Sequence, residues 1–359
     1  MTTRILIRPT GFVDSPFGHD GKVARLAGGL NWFGLVELIK VEGSRRTSVE
    51  ILPVEGIENR FDEAMAADWA RITAPRSPLQ MGERTIRLDQ PQVMGIVNAT
   101  PDSFSDGGSY ADAASAAEAG AGMAAEGAAI IDVGGESTRP GATTVWENDE
   151  IERVLPIVQQ LAASGHAVSI DTRKSGVMSA ALGAGARMVN DVSALAWDPQ
   201  SATVVAQAGA PVVLMHHQGD PTTMQDAPRY DDALVEVYIW LEERVAAAEE
   251  AGIARDKILV DPGIGFGKSV AHNLELLNGL ALLHGLGCPI VLGASRKRMI
   301  GALANEAPAD RRLPGSLTLA MKAIEQGAQV IRVHDVPETV QALKVWRGLR
   351  DAALTPKIA

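Results

Sequence analysis

From about residue 92 the chain repeats a short apolar run, a polar or glycine-rich break and a helix-like stretch. Eight such apolar runs occur, and runs this short are typical of strands buried on both faces of a parallel sheet. They cover residues 93–97, 129–131, 168–170, 187–189, 211–215, 258–260, 290–292 and 330–333. Between them, residues 111–126, 228–251 and 315–327 favour helices that stop at glycines. The pattern predicts an α/β fold, a (β/α)8 TIM barrel, with a doubly wound open sheet as the alternative.

Residues 1–90 do not follow this pattern. Residues 4–7 and 48–52 favour strands, residues 61–72 favour a short helix, and residues 74–87, with two prolines, favour a linker. We therefore predict a small additional N-terminal α+β segment over residues 1–90, packed against a catalytic barrel domain over residues 91–359. No cluster of catalytic residue types marks this segment, so the sequence leaves its role open.

The length, net charge and cysteine content of the chain exclude several classes of protein. The 359 residues suit one barrel with an extra segment, and a net charge of −11 without a basic face argues against nucleic-acid binding. Cys288 is the only cysteine, so no internal disulfide can form and a reducing compartment is expected. No signal peptide begins the chain and no apolar run approaches the ~20 residues of a membrane span. We expect a cytoplasmic protein without a membrane partner.

A polar side chain follows each of the eight predicted strands. One such residue is usually a helix N-cap, but eight in succession are hard to explain as caps alone. In a barrel they all open onto the face where barrel enzymes keep their chemistry. In chain order they are Asn98, Asp132, Asp171, Asn190, His216, Asp261, Ser295 and His334.

Two long loops follow the first two strands. Residues 98–108 place an amide, two carboxylates and an aromatic ring on the active face, and such oxygens suit a hard cation like Mg²⁺. Residues 134–141 offer a hydroxyl and a guanidinium to an anionic or polar substrate. Loops of this kind over a barrel mouth are commonly lids.

Further along the chain, Asp171 and Asn190 together suit the donors and acceptors of an aminopyrimidinone. The segments 295–297 and 332–334 follow strands seven and eight, the usual phosphate site of a barrel. Lys297 would oppose the dipole of the following helix, which favours a ligand-binding role. Residues 261–269 invite a nucleotide-binding interpretation, but Pro262 stands where a P-loop requires glycine.

These motifs together resemble the dihydropteroate synthases. The segments NATPDSFSDGG, GGESTRPGA, DTRK, NDVSAL, LMHHQG, DPGIGFGK, GASRK and RVHDV occur in the order of that family, over about residues 92–350. His217 and Asp220 are small departures from the expected pattern. The first 90 residues are longer than the usual lead-in.

The resemblance implies a Mg²⁺-dependent condensation of 6-hydroxymethyl-7,8-dihydropterin pyrophosphate with p-aminobenzoate, by a homodimer. The catalytic residues implied are Asp171, Lys297, Asp106, Arg332 and His334, and the metal ligands are Asn98 and Asp106. Substrate contacts are implied for Asn98, Phe104, Thr138, Arg139, Pro140, Asp171, Asn190, Met215, Asp261, Phe266, Ser295, Lys297, Arg332 and His334. A pterin-barrel methyltransferase and a catalytically silent pterin-binding protein remain as alternatives.

Overall fold

The structure, a computed structural model, describes residues 3–99, 109–136, 145–219 and 224–355. Its N-terminal segment contains strands β1 (Thr3–Val13), β2 (Ala24–Arg25), β3 (Trp32–Glu42) and β4 (Arg45–Pro53), and helix α1 (Glu63–Thr73). These bounds confirm the two predicted strands and the predicted helix, whereas β3 was missed. β3 is the central strand, since it pairs in antiparallel fashion with β1, β2 and β4.

Strands β1 and β3 bury residues on both faces of this small sheet, whereas β4 is largely exposed. Leu6 and Ile39 point to the barrel and belong to the same hydrophobic cluster as Leu234 of a barrel helix. Their neighbours Ile7 and Leu38 point the other way and cluster with residues of α1. Because side chains alternate along a strand, the sheet becomes a layer between α1 and the barrel.

The predicted linker is wrong, because residues 79–86 form a hairpin. It consists of β5 (Leu79–Met81) and β6 (Arg84–Ile86), which pair in antiparallel register. Leu79 and Ile86 pack against the first residues of the barrel strands, so the hairpin plugs the N-terminal end of the barrel. Two strands of three residues are too short for their alternation to stand out in the sequence.

Eight parallel strands form the barrel, each close to a predicted run. They are β7 (Gln92–Asn98), β8 (Ile130–Gly134), β9 (Val168–Asp171), β10 (Met188–Asp191), β11 (Val212–Met215), β12 (Ile258–Asp261), β13 (Val291–Leu292) and β14 (Val330–Val333). Neighbouring strands follow the order β12-β11-β10-β9-β8-β7-β14-β13, and a bridge between Val260 and Ile290 joins the two ends. A doubly wound sheet would reverse its order partway, so the closed barrel is confirmed.

Helices surround the strands and end near the glycines expected from the sequence. They are α2 (Ser109–Ala125), α3 (Glu147–Ala163), α4 (Ser175–Gly183), α5 (Ser201–Ala208), α6 (Ala233–Glu250), α7 (Val270–Asn278), α8 (Arg298–Leu303), α9 (Leu313–Glu325) and α10 (Val336–Leu354). The predicted helices over 111–126, 228–251 and 315–327 correspond to α2, α6 and α9. Among the described residues, no helix is long and apolar enough to cross a membrane.

The N-terminal segment should stabilise the barrel, and it can be deleted without removing the hairpin of β5 and β6. Arg46 pairs with Asp232 at 2.9 Å, Arg4 lies over the Tyr238 ring, and Asn31 donates to the Ile324 carbonyl at 2.6 Å. We expect deletion of residues 1–77 to lower the melting temperature by roughly 5–10 °C, since apolar helix surface becomes exposed. Differential scanning calorimetry measures the shift.

A second deletion provides the control. Removing residues 1–87 also takes away the hairpin and opens the barrel bottom, so this variant should yield little folded protein. Equal melting temperatures for the 1–77 deletion and the intact chain would show that the segment does not stabilise the barrel.

Candidate active site

The carboxyl ends of four barrel strands meet in one hydrogen-bonded cluster. Arg332 on β14 donates from Nε to Asp132 at 2.6 Å and from a terminal nitrogen to Asp171 at 2.7 Å. Asn190 donates its side-chain amide to the same oxygen of Asp132 at 2.9 Å. The strand-end side chains therefore converge on one site, as the sequence predicts for this face of the barrel.

Burial makes this cluster electrostatically unusual. Burial raises the pKa of Asp171 to about 7, although the Arg332 guanidinium opposes the shift and the Asp132 carboxylate adds to it. Burial also raises the pKa of Asp261, against a hydrogen bond from the Gly263 amide and the charge of Lys297. Such shifted carboxyl groups in a barrel mouth are typical of an active site.

Two carboxylate oxygens in the cluster accept no hydrogen bond from the described residues. In the described part of the chain, the buried Oδ1 atoms of Asp132 and Asp171 have no hydrogen-bond partner. Buried polar atoms are normally paired, so these acceptors indicate a ligand rich in N–H groups. Gly134 leaves the space beside them open, because a Cβ there would lie 3.4 Å from that of Asp171.

A second group of residues lies across the mouth. The Lys297 ammonium sits 4.0 Å from the centre of the Phe266 ring, and Ser295 Oγ lies 3.1 Å from Nδ1 of His334. Lys297 directly precedes α8, as the sequence indicates for a cation at a helix start. A Cβ at Gly293 would lie 3.6 Å from Asp261, so this glycine keeps the space beside the carboxylate clear. This half of the mouth offers a cation and an aromatic surface, which suit an aromatic acid.

Known proteins are similar to this chain in sequence. The model of the Pterin binding enzyme family matches residues 94–334. Dihydropteroate synthase of Escherichia coli (strain K12) is 48% identical over 262 residues, covering 73% of this chain and 92% of the relative. The chain belongs to the dihydropteroate synthase family.

Solved dihydropteroate synthases have the same architecture. The Xanthomonas albilineans enzyme with 4-aminobenzoic acid is 47% identical with a TM-score of 0.72, and the match covers 77% of this chain and 98% of that one. The same enzyme in complex with 7,8-dihydropteroate is 44% identical with a TM-score of 0.69, over 76% of this chain and 98% of that one. These structures identify the family fold as the barrel described above, while about a quarter of this chain lies outside the match.

Not every residue implied by the dihydropteroate synthase pattern can be placed. Asn98 ends β7 and is partly exposed, and Met215 ends β11 and is buried. The predicted residues Phe104, Asp106, Thr138, Arg139 and Pro140 lie outside the described residues.

The sequence assigned no role to Asp132, although the same strand-end rule that selected Asp171 also marks it. Asp132 is fully buried and holds both Arg332 and Asn190. Two site residues therefore depend on a carboxylate whose own function was not anticipated.

Proposed function

We propose that this enzyme joins 6-hydroxymethyl-7,8-dihydropterin pyrophosphate to p-aminobenzoate and releases 7,8-dihydropteroate and pyrophosphate. The observation that carries this proposal is the Arg332–Asp132–Asp171–Asn190 cluster, with its unpaired acceptors, facing the barrel mouth. The family membership and the solved complexes with 4-aminobenzoic acid and 7,8-dihydropteroate support it.

The pterin ring would bind in the carboxylate half of the mouth. Asp171 and Asp261 accept from N–H groups of the ring, and Asn190 can both donate and accept. Met215 provides an apolar side, and Lys297 can donate to a ring carbonyl. The buried acceptors described above are what such a ring would satisfy.

The pyrophosphate would leave toward the phosphate site of the barrel. The bond between the exocyclic CH₂ and the pyrophosphate oxygen breaks, and the oxygen keeps the electron pair. Arg332 lies on β14 and His334 directly follows it, so charge at the departing group can be stabilised by a guanidinium and a hydrogen-bonding imidazole. Ser295 holds the His334 ring through Nδ1 and so orients it.

Loss of pyrophosphate leaves a delocalised positive charge on the pterin. The ionised Asp171 carboxylate would stabilise it, because opposite charges attract strongly in a buried site. The amine of p-aminobenzoate then forms the C–N bond and releases a proton. No protein nucleophile is required for this sequence of bonds.

The p-aminobenzoate would bind in the other half of the mouth. Phe266 offers a ring face, and Lys297 and Ser295 can meet the substrate carboxylate. Phe104, Thr138, Arg139 and Pro140 are proposed to complete this pocket on the sequence pattern alone.

We propose that a magnesium ion is shared between the protein and the substrate. Within the described residues, no group of three or more His, Cys, Asp or Glu side chains could hold a metal. Mg²⁺ is usually held by one or two protein oxygens together with substrate phosphates, so Asn98 with Asp106 is a suitable pair. The ion would supply positive charge to the pyrophosphate.

The magnesium proposal predicts a specific defect in the Asn98→Ala variant. We expect the Mg²⁺ concentration for half-maximal activity to rise about tenfold, because one of few protein ligands is lost. Titrating Mg²⁺ after EDTA treatment measures it. Asn190→Ala should instead raise the KM for the pterin substrate at an unchanged Mg²⁺ requirement, and identical profiles for both variants would remove Asn98 from the metal site.

We further propose a homodimer in the cytoplasm. Val345 and Leu349 lie one turn apart on α10 with 61% and 68% of their surfaces exposed, which suits a contact between subunits. The cytoplasmic location is proposed because the chain has a single cysteine and so needs no oxidising compartment to form an internal disulfide. Sedimentation velocity would test the dimer.

One turnover assay separates the proposal from its alternatives. With dihydropterin pyrophosphate, p-aminobenzoate and Mg²⁺, a synthase forms dihydropteroate and pyrophosphate in equal amounts. A pterin-barrel methyltransferase or a silent pterin-binding protein would bind the pterin and form neither product.

A further inference from the structure

Lys268 is a buried cation to which the reaction assigns no role. It ends the loop between β12 and α7, and only 3% of its surface is exposed. Its ammonium contacts Nδ1 of His216 at 2.8 Å and donates to the carbonyls of Phe266 at 2.9 Å and Gly263 at 3.0 Å. A longer contact of 3.3 Å joins the same nitrogen to the His216 carbonyl, so every proton of the ammonium group has an acceptor.

The lysine joins two adjacent loops of the barrel mouth. His216 directly follows β11, whereas Gly263 and Phe266 follow β12. The loops are in close backbone contact, since a Cβ at Gly263 would lie 1.8 Å from the His216 carbonyl oxygen. Gly263 also has a φ of +67°, which favours glycine.

The loop after β12 is fixed from its outer side as well. Asn273 accepts from the Gly265 amide at 2.8 Å, and the Tyr230 hydroxyl donates to the Gly267 carbonyl at 2.9 Å. Lys268 is the inner attachment: it holds the Phe266 carbonyl while the ring of the same residue lies against Lys297. The side chain that faces the mouth is therefore oriented through its own backbone.

We propose that Lys268 is a positioning residue that fixes the Phe266 ring, and with it the p-aminobenzoate half of the site. This inference rests on the proposed function, because it assumes that Phe266 contacts p-aminobenzoate. Met215, on one side of the proposed pterin pocket, directly precedes His216 in the chain. The contacts of Lys268 with His216 therefore also restrain Met215, but less directly than they restrain Phe266.

Burial shifts the pKa values of both members of this pair. Burial and the neighbouring Lys268 ammonium lower the pKa of His216 well below its ordinary value. A neutral imidazole can present an unprotonated Nδ1 to the lysine. Burial likewise lowers the pKa of Lys268, and the nearby Asp261 carboxylate opposes that shift.

The first test is the Lys268→Met variant, which keeps a side chain of similar length and removes the donors. We expect the KM for p-aminobenzoate to rise about tenfold or more, with kcat and the pterin KM changing about threefold at most. Lys257→Met is the matched control, because Lys257 donates to the Gly209 carbonyl at 2.7 Å beside the opposite end of β12. Its KM values should equal those of the wild type.

Two outcomes separate the hypotheses. A wild-type enzyme without synthase turnover would reject the proposed function itself. An active wild type with Lys268→Met showing unchanged KM values in its folded fraction would reject the positioning role alone, because a purely structural lysine lowers only the amount of folded enzyme.

A second pair of variants leaves the lysine in place. His216→Asn keeps an oxygen or nitrogen where Nδ1 stands, whereas His216→Leu removes the acceptor. We expect His216→Leu to raise the p-aminobenzoate KM and the amide exchange of residues 263–268, and His216→Asn to do so much less. Equal effects of the two substitutions would overturn the proposal, even if Lys268→Met fails to fold.

Discussion

Replacing Asp171 with asparagine is expected to lower kcat about 10²–10³-fold without disturbing the fold, by analogy with the loss of one preorganised electrostatic contact. The carboxylate is buried at the end of β9 and lies 2.7 Å from Arg332. Asparagine has nearly the same shape but carries no charge to stabilise the developing pterin cation. Since that charge appears only in the transition state, kcat should fall more than KM rises.

Steady-state kinetics of Asp171→Asn beside Asp198→Asn would test this expectation. Asp198 also lies on the catalytic side of the barrel, but its carboxylate accepts from the backbone amides of Ser175 and Gln200, each at 2.9 Å, and from the Ser175 side chain. Its variant should keep the wild-type kcat. A near-normal kcat in Asp171→Asn would remove this carboxylate from the mechanism.

The pH dependence of kcat/KM tests the role of Asp171 independently. Because the pKa of Asp171 is about 7 in the free enzyme, its ionised form is lost as the pH falls below that value. We expect kcat/KM for the pterin substrate to decrease on the acid side of about pH 7, approaching tenfold per pH unit. A profile that stays flat from pH 8 to 5.5 would contradict the assignment.

The barrel was predictable because its signal is local and repeated. Eight apolar runs with polar ends indicated both the strands and the face on which Asp171, Asn190 and Arg332 would meet. The hairpin over residues 79–86 was not predictable in this way, since each strand has three residues and contacts the barrel only after the chain has closed. Strand β3 was missed because it is buried on both faces and so lacks a clean alternation of apolar and polar residues.

Polar contacts between distant segments leave no pattern in a single sequence. The roles of Asp132 and Lys268 follow from partners that lie 200 and 52 positions away along the chain. The same holds for Glu150, whose partner Lys174 follows a different strand. The DTRK motif drew attention to that lysine without indicating what it binds.

Replacing Glu150 with glutamine should cost about 3 kcal/mol of stability, near the lower end of the 3–5 kcal/mol typical for removing one partner of a buried ion pair. Glu150 in α3 is fully buried and pairs with the buried Lys174 ammonium. Lys174 also lies 3.2 Å from Glu136, so that in the variant the Glu136 carboxylate still compensates part of the lysine charge. The variant leaves one buried cation with a single carboxylate, and a buried charge is costly unless it is fully paired.

The position of Glu136 connects this pair to the active site. Glu136 accepts from the Val145 amide at 2.9 Å and thereby joins the two residues that flank positions 137–144. Those positions contain Thr138, Arg139 and Pro140, which the proposed p-aminobenzoate pocket uses. Lys174 thus links Glu136 to Glu150 of α3. The loss of Glu150 as its partner should therefore lower the stability and also disturb residues close to the proposed p-aminobenzoate pocket.

The melting temperature of Glu150→Gln is best compared with that of Glu249→Gln, because the same substitution is made in a buried and in an exposed ion pair. Glu249 pairs with Arg255 at 2.5 Å, but both side chains are more than one-third exposed, and such pairs contribute about 0–1 kcal/mol. We expect a fall in Tm of about 4 °C for the buried site and about 1 °C or less for the exposed one. If the two variants melted together, Lys174 would be compensated by Glu136 alone, and the second carboxylate would have no structural role.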